Sequence, residues 1–336
     1  MANAPLPLEI PMPGGGIQAV HPDVVHVPDG FLGFPYWMAC TPYPFGIDLE
    51  ENPVIRVSLD GKRWTAFPSA PDPLQNRPMD PDWHHADTDL VLDGGRLHLF
   101  YLSTNRRNGE TRFCFLTSAD GCHWTGPQEF DPGNWGVSPA VVVDRGIWRL
   151  WYVRCDTHVH RQESVLFQRQ GPSPASLGDP VACELAIPGY VPWHLDVIGV
   201  PSGFEALIAA FPAGTNSSKC CLFHAVSKDG LSFRLSRNGP LLGPSWFGWD
   251  NRLIYRSTFA KDREGRYQIW YSASSWGHRW GIGLLQGDLQ DLKPEAGTSR
   301  SGTRRIRRED VVGWTKYLAT RTLHPSILAW VRKMRA

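Results

Sequence analysis

The sequence lacks several features that assign a chain to a common class. Its 34 Lys and Arg residues balance 33 Asp and Glu residues, for a formal charge of +1, so we expect no nucleic acid as partner. No apolar run approaches the length needed to span a membrane. The first residues, 1–13, have neither the basic start nor the apolar core of a signal peptide. We therefore expect a cytoplasmic protein, with non-classical export as the alternative.

Cysteines at metal-binding spacing are also absent. The sequence has seven Cys, but none forms a CxxC pair, which argues against a structural zinc site. Most lie within apolar strand patterns, as in 113–115, where a reduced Cys packs as a small hydrophobe. We expect no cofactor and no metal site, except that Asp oxygens in a central channel could hold a structural Ca²⁺. No loop has a recognisable calcium spacing.

Tryptophan, glycine and proline are abundant instead. The chain has 15 Trp, 33 Gly and 29 Pro in 336 residues. Pro and Gly at this density break helices and favour short strands joined by turns. The length suffices for one large all-β domain or for two domains. Many of the Trp residues can serve as wedges between packed sheets.

A repeated unit organises most of the chain. Five times, an apolar strand that begins with polar residues is followed by a Gly-containing turn and an aromatic-rich strand, at intervals that suit propeller blades with loop insertions. The first strands begin at His21–Val25, Asp87–Val91, Ser138–Val142, His194–Ile198 and Tyr255–Phe259. This pattern predicts an all-β fold, a five-bladed β-propeller over 17–292. A lead-in segment (1–16) precedes it, and a basic linker with a short, partly helical C-terminal extension (293–336) follows.

Three Asp-box-like turns support the same fold. They read Ser-x-Asp-Gly and carry an aromatic residue three positions after the Gly, at Ser58–Trp64, Ser118–Trp124 and Ser227–Phe233. Asp-Gly is a strong hairpin signal because Gly accepts a positive φ and Asp can bond the backbone of the turn. We interpret these turns as structural.

Polar side chains at the starts of the first strands are predicted to meet. A propeller points the first strand of each blade at one central channel. Residues i and i+2 of a strand share a face. The residues expected there are His21, Asp23, Asp87, Asp89, Ser138, His194, Asp196 and Arg256. A dry core would not accept so many polar groups, so we expect a functional pocket, with a hydrated channel as the alternative.

Aromatic residues and a further carboxylate accompany this set. Trp37 and Glu51 belong to the first unit, Trp193 precedes His194, and Tyr255 begins the fifth unit. Aromatic faces together with planar polar groups are a combination that suits sugars. The composition therefore predicts a carbohydrate substrate or ligand.

With these motifs the sequence resembles the furanosidase propellers, the superfamily of arabinanase, β-xylosidase, levansucrase and invertase. The resemblance rests on the five-unit pattern, on 21–23 and 89–91, and on the Ser-x-Asp-Gly turns, over roughly the propeller region. It implies a glycoside hydrolase with three channel acids: a base or nucleophile from blade one, a helper from blade two and an acid from a later blade. Two carboxyl groups must flank the glycosidic bond.

The sequence departs from that pattern at two of the three acids. His21 stands where the superfamily has the blade-one Asp, which leaves Asp23 as the nearest carboxylate. Asp89 matches the helper. The segment 137–139 holds no blade-three Glu, so Asp196 or Glu51 would have to replace it.

The preferred hypothesis is a glycosidase that acts on a furanose- or pyranose-containing glycan. Asp89 and Asp196 are the predicted carboxylate pair, with Glu51 in reserve and Asp87 as a modulator. The predicted substrate-binding residues are His21, Asp23, Trp37, Trp193, His194, Tyr255 and Arg256.

Two alternatives remain open. One is a non-catalytic propeller that binds glycan or protein as an adhesion or assembly module. The other is an intracellular polysaccharide-assembly enzyme whose basic C-terminal extension, with five Arg between 300 and 308, contacts a membrane or a protein.

Overall fold

The computed structural model describes residues 3–130, 136–155, 163–215 and 219–294. Its helices are single-turn 3₁₀ segments in these ranges, at Pro13–Gly15, Pro44–Gly46, Asp48–Glu50 and Pro174–Ser176. In the same ranges, no helix is both long and apolar enough to cross a membrane. The predicted C-terminal extension lies outside the described residues from 295 onward.

Five antiparallel sheets of four or five strands confirm the predicted all-β propeller. Blade one contains β1 Ala19–Phe31, β2 Phe34–Pro42, β3 Val54–Ser58 and β4 Thr65–Ala66; blade two contains β5 Trp83–Asp93, β6 Arg96–Asn105, β7 Thr111–Ser118 and β8 Thr125–Phe130. Blade three contains β9 Gly136–Asp144, β10 Ile147–Cys155, β11 Ser164–Gly171 and β12 Val181–Ala182. Blade four contains β13 Glu184–Leu185, β14 Tyr190–Val200, β15 Gly203–Pro212, β16 Cys221–Ser227 and β17 Ser232–Leu235; blade five contains β18 Leu253–Lys261, β19 Tyr267–Ser274, β20 Trp280–Gly287 and β21 Lys293–Pro294.

The innermost strands of the blades are β1, β5, β9, β14 and β18, and each pairs with the next strand of its own blade. Within blade four, the short β13 is the exception to the antiparallel pattern because it pairs in parallel with β17. Both ends of the described chain pack on blade five. Leu8 N donates to Ile282 O at 2.7 Å, and β21 pairs with the outer part of β20.

The Asp-box-like turns bind the blades to one another, which agrees with their structural interpretation. In the first turn, the Ser58 hydroxyl accepts the N–H of Gly61 at 2.9 Å. The indole of Trp270, from blade five, donates to Gly61 O at 2.8 Å, and Trp151, from blade three, donates to Gly230 O at 2.7 Å. In each case, the turn of one blade therefore meets a fully buried Trp of the preceding blade.

Candidate active site

A bulge near the start of each innermost strand shapes the channel. The pairing register shifts between Val20 and Asp23 in β1 and between Ala86 and Asp89 in β5, and similar shifts occur in the other three blades. In the first three blades a non-glycine residue at the bulge has positive φ: His21 at 54°, Asp87 at 49° and Ser138 at 59°. Such backbone strain concentrates at functional sites. The bulges therefore mark this end of the channel as a candidate site.

His21, Asp87 and His194 form the first of two polar layers, here called the His–Asp cluster. His21 Nε2 lies 2.9 Å from Asp87 Oδ1, and His194 Nδ1 lies 3.6 Å from the same oxygen. One atom from each residue falls within 4.8 Å of the other two, and all three side chains are buried. The Ser138 N–H donates to Asp87 Oδ2 at 2.8 Å, so Oδ1 is the oxygen that faces the imidazoles.

Glu51 contacts the ring nitrogen of His21 that points away from Asp87. Its Oε2 lies 3.0 Å from His21 Nδ1 and accepts the Thr41 hydroxyl at 3.1 Å. The backbone N of Asp87 approaches the same ring nitrogen at a longer distance, 3.3 Å. We place the proton on Nδ1 because the contact with the carboxylate is shorter and charge-assisted. Nε2 is then the ring nitrogen that faces Asp87, 2.9 Å from its Oδ1.

The charges of this layer favour a cation. Burial lowers the pKa of His21, but the Asp87 and Glu51 carboxylates outweigh burial and raise that pKa to about 9. Burial raises the pKa of Asp87, but His21 and His194 outweigh it and hold the pKa well below its usual range. The layer thus combines a firmly ionised carboxylate with two imidazoles in a buried position.

Aromatic rings wall the His–Asp cluster. The Tyr255 ring lies 4.3 Å from His194 and 5.2 Å from His21, measured between centroids. Trp193 lies 4.8 Å from Tyr255 and Trp280 lies 5.2 Å from it. The structure therefore brings the predicted residues Trp193 and Tyr255 to the site, and it adds Trp280.

The second polar layer, here called the Asp triad, consists of Asp23, Asp89 and Asp196. One oxygen of each lies within 4.8 Å of the other two, and all three residues are buried. A cavity of about 200 Å³ adjoins the triad and is otherwise lined mostly by apolar residues of the innermost strands. The sequence prediction that these acids converge in the channel agrees with this geometry.

Each carboxylate of the Asp triad also joins two blades. Asp23 accepts Leu90 N at 2.7 Å, Asp89 accepts Val141 N at 3.1 Å and Asp196 accepts Phe259 N at 3.2 Å. Hydroxyl groups complete the cycle: Ser138 accepts Leu195 N at 3.0 Å and Thr258 accepts Val24 N at 3.2 Å. Five side-chain bonds thus link the innermost strands from blade one round to blade one. This ring gives the Asp triad a structural role.

Burial raises the pKa of all three carboxyl groups in the Asp triad. Burial raises the pKa of Asp23 to about 6, although Arg256 and the Leu90 N–H oppose the shift. Burial and repulsion from Asp23 raise the pKa of Asp196 to about 8, and the same two causes raise the pKa of Asp89 well above its usual value. Arg256 is the guanidinium next to this layer: it donates to Pro139 O at 2.8 Å and to Asp89 Oδ1 at 3.3 Å.

Trp37 does not belong to the site. We expected it to bind substrate, but it has no exposed surface, and its indole donates to Phe31 O at 3.0 Å. Its ring packs 4.7 Å from Phe67 in the core between blades one and two. The prediction failed because the two faces of a strand cannot be told apart when both are buried. Thr41, which sequence reasoning missed, does belong to the site.

Comparison with known proteins places this site in context. No protein-family profile matches the chain. The A type blood N-acetyl-alpha-D-galactosamine deacetylase of Flavonifractor plautii is 27% identical over 314 residues, a match that covers 76% of this chain and 40% of that protein. The chain therefore spans about two fifths of the length of this curated relative.

Solved structures show the same fold. The crystal structure of an N-acetylgalactosamine deacetylase from F. plautii, in complex with blood group B trisaccharide, superposes with a TM-score of 0.76 at 24% identity, covering 85% of this chain and 94% of that one. A thermostable family-43 glycoside hydrolase superposes with a TM-score of 0.61 at 14% identity, covering 89% of this chain and 99% of that one. The resemblance to the glycoside hydrolase propellers is thus confirmed at the level of the fold. The more similar structure is that of a deacetylase.

Proposed function

We propose that this chain is a metal-dependent deacetylase of N-acetylated amino sugars, with its reaction centre at the His–Asp cluster. The observation that carries the proposal is the arrangement of His21, Asp87 and His194 around one buried point. Sequence similarity to an N-acetyl-alpha-D-galactosamine deacetylase supports the choice of reaction and substrate. From the sequence we expected a glycosidase without a catalytic metal, so this proposal revises both expectations.

The residues present fit a first-row divalent cation such as Zn²⁺. Two imidazoles and one carboxylate are a usual ligand set for catalytic zinc, at metal–ligand distances of about 2.0–2.2 Å. Ligand atoms around such an ion lie roughly 3–3.6 Å apart, close to the 2.9 Å and 3.6 Å contacts of Asp87 with the two imidazoles. Glu51 on the far nitrogen of His21 is the outer-shell partner that metal-binding histidines usually have.

The reaction splits an amide with water. The water oxygen adds to the acetyl carbonyl carbon, the C–N bond breaks, and acetate and a protonated amine leave. A bound divalent cation supplies Lewis acidity and lowers the pKa of water. Asp87 and the two imidazoles would hold the cation. The hydrogen bond from Ser138 N–H to Asp87 Oδ2 fixes the orientation of the Asp87 carboxylate. Glu51 accepts the Nδ1 proton of His21 at 3.0 Å and so fixes the orientation of the ring.

The aromatic wall suits an amino sugar. Tyr255, Trp193 and Trp280 present ring faces and edges beside the imidazoles. Such surfaces pack against the C–H face of a pyranose and exclude water from the carbonyl. An N-acetylgalactosamine residue at the end of a glycan is the substrate we propose.

Glycoside hydrolysis is the second candidate, favoured by the three carboxyl groups of the Asp triad. A glycosidase needs an acid and a base or nucleophile that both reach the bond, with carboxyl groups about 5–5.5 or 6.5–9.5 Å apart. The acids of the triad are closer, and each is committed to the N–H group of the next blade. This commitment is why we prefer the His–Asp cluster.

The test compares two matched variants, Asp87→Asn and Asp89→Asn. Each keeps an oxygen for its inter-blade N–H, but only the first weakens the ligand set. Acetate and free sugar are both measured after incubation with N-acetylgalactosamine-terminated oligosaccharides. We expect acetate and no free sugar from wild type, and a larger loss in Asp87→Asn than the ~10–100-fold that removal of an outer-shell partner costs.

Chelation provides the control. Wild type treated with a strong chelator should lose acetate release and regain it with added Zn²⁺, and Glu51→Gln should fall by about 10–100-fold. Free sugar released in a manner that depends on Asp89, without acetate, would replace the deacetylase proposal with the glycosidase. If folded wild type releases neither acetate nor free sugar, both the deacetylase and the glycosidase proposals are overturned.

A further inference from the structure

Large apolar side chains project into solvent around the reaction centre. Within the described ranges, Met79 is fully exposed, and Trp246 and Phe247 are 93% and 88% exposed. Trp276 follows at 58%, and with the Trp-Phe pair it completes the set of exposed aromatic residues in those ranges. Single exposed apolar residues are common, but grouped ones mark an interaction surface.

The strand order places these side chains at the end of the propeller where the innermost strands begin, here called the His–Asp end. The Trp-Phe pair lies in the connection from β17 to β18, and Tyr255 of the aromatic wall is the third residue of β18. Trp276 lies in the connection from β19 to β20, and β20 begins with Trp280 of the same wall. Met79 lies in the connection from β4 to β5, ahead of Asp87. The exposed residues therefore surround the entrance to the His–Asp cluster.

The two connections that carry the aromatic residues are fixed to the propeller. Asp250, three residues after the Trp-Phe pair, is buried and accepts the Tyr271 hydroxyl at 3.1 Å. Asn251 Oδ1 accepts the N–H of Trp276 at 3.1 Å, which joins one connection to the other. The aromatic residues thus project from anchored supports on blade five.

The high exposure indicates a lipid surface rather than a sugar as the occupant. A ring that stacks on a sugar needs its face fixed by neighbours, as Tyr255 and Trp193 fix each other at 4.8 Å between centroids. Trp246 and Phe247, at their exposure, have almost no such packing. Trp is enriched at membrane–water interfaces, where its ring inserts among lipid headgroups. A lipid surface can also meet several projecting connections at once.

Positive charge accompanies the aromatic residues. Arg237, Arg252 and Arg279 lie in the same two connections. The one Asp or Glu of these two described connections is Asp250, which is buried. The described chain ends on blade five, and the 42 residues that follow, 295–336, contain 10 Lys and Arg against 3 Asp and Glu. Basic residues beside apolar anchors are attracted to anionic headgroups.

We propose that the His–Asp end docks on an anionic lipid surface through Trp246, Phe247 and Trp276, and so presents the His–Asp cluster to sugars carried by lipids. The docking surface rests on the exposed aromatic residues and the charges around them. The choice of a lipid-borne N-acetylated amino sugar as substrate rests on the proposed function.

The experiment is flotation of the full chain with vesicles of phosphatidylcholine and phosphatidylglycerol. The double variant Trp246→Ser/Phe247→Ser is compared with Leu59→Ser, which removes a 70% exposed apolar side chain just after β3, at the opposite end of the channel. Burial of one large apolar side chain changes a binding constant by roughly tenfold or more. We therefore expect the double variant to bind at least about tenfold more weakly, and Leu59→Ser to bind like wild type. No binding of wild type, or equal binding of the double variant, would overturn the proposal.

Acetate release is measured in parallel, from an N-acetylgalactosamine-terminated glycolipid in these vesicles and from the matching free oligosaccharide. We expect the double variant to lose release from the vesicles and to keep release from the free oligosaccharide. An equal loss on both substrates would show that the Trp-Phe pair binds the glycan itself and would overturn docking on lipid. Vesicle binding that depends on the pair, without acetate from wild type on either substrate, would support the docking surface and refute the proposed reaction.

Discussion

Substitutions at Asp196 should separate the structural role of the Asp triad from catalysis. Asp196→Ala removes the acceptor of the Phe259 N–H, in a position that is 4% exposed. A buried N–H left without a partner costs about 1–3 kcal/mol. Each kcal/mol lowers the Tm of a large domain by about 2–4 °C, so we expect a loss of roughly 2–12 °C. Asp196→Asn keeps one oxygen for the Phe259 N–H but loses the acceptor of the Val197 N–H, which Asp196 Oδ1 accepts at 2.8 Å, so its Tm should lie between those of Asp196→Ala and wild type.

Thermal unfolding and acetate release, measured on the same preparations, distinguish a structural role of the Asp triad from a catalytic role. If the Asp triad only links blades, Asp196→Asn should keep kcat/KM within about tenfold of wild type. Loss of a general acid or base costs about 10²–10⁴-fold. A loss of that size in an Asp196→Asn protein that is fully folded at the assay temperature would refute the interpretation that the Asp triad is only structural.

Three further predictions concern residues outside the His–Asp cluster and the Asp triad. Glu205 forms hydrogen bonds with Lys261, Tyr267 and His224. Burial raises its pKa, but these partners outweigh burial and lower the pKa from 4.5 to about 2. The stabilisation of the fold by Glu205 is therefore complete above pH 4.5 and is lost as the pH falls towards 2, so Glu205→Gln should flatten acid unfolding curves in that window. Gly121 has φ +72°, and a Cβ there would lie 2.8 Å from Phe67 and 3.0 Å from Trp37. Gly121→Ala should thus destabilise by more than the ~1–2 kcal/mol of left-handed strain alone, whereas Gly94→Ala, at φ +54° with no atom within 4 Å, should show only that strain in a melting experiment. Thr41→Val removes the hydroxyl donor to Glu51 and should lower acetate release by less than Glu51→Gln, with an unchanged Tm; a larger loss would mean that Thr41 contacts the reacting groups.

The propeller was predictable from sequence because each blade repeats the same physical solution. An apolar strand, a glycine turn and an aromatic strand recur five times. The Asp-Gly dipeptides predict tight turns, and Gly61 and Gly121 have the positive φ that such turns require. Glycine is needed there because the backbone has positive φ. The convergence of the first strands then follows from closure of the ring.

The site was only partly predictable. The i, i+2 rule placed His21 and Asp23 on one face, but it did not foresee the bulge that lifts His21 into a separate layer. Positive φ at a histidine or an aspartate leaves no sequence signature, so the His–Asp cluster and the Asp triad could not be told apart. Glu51 reaches His21 from a connection between strands, and only the folded chain shows that contact.

The different contacts of the two polar layers explain why the sequence matches the glycosidase set of three channel acids only in part. Asp89 stands where the superfamily has its helper, but here its oxygen bonds Val141 N and holds blade three. His21 takes the place of the expected blade-one carboxylate and contacts Asp87 instead. A change at one bulge residue thus moves the proposed chemistry from paired acids to a metal centre on the same scaffold.

The position of a bound cation is the most direct test of the proposed metal centre. Crystals of the full chain grown with Zn²⁺ would be measured on both sides of the zinc absorption edge, and the anomalous difference map would locate the ion. We expect one strong peak at about 2.0–2.2 Å from a nitrogen of His21, a nitrogen of His194 and an oxygen of Asp87. A peak among Asp23, Asp89 and Asp196 alone, or no peak in the channel, would contradict it.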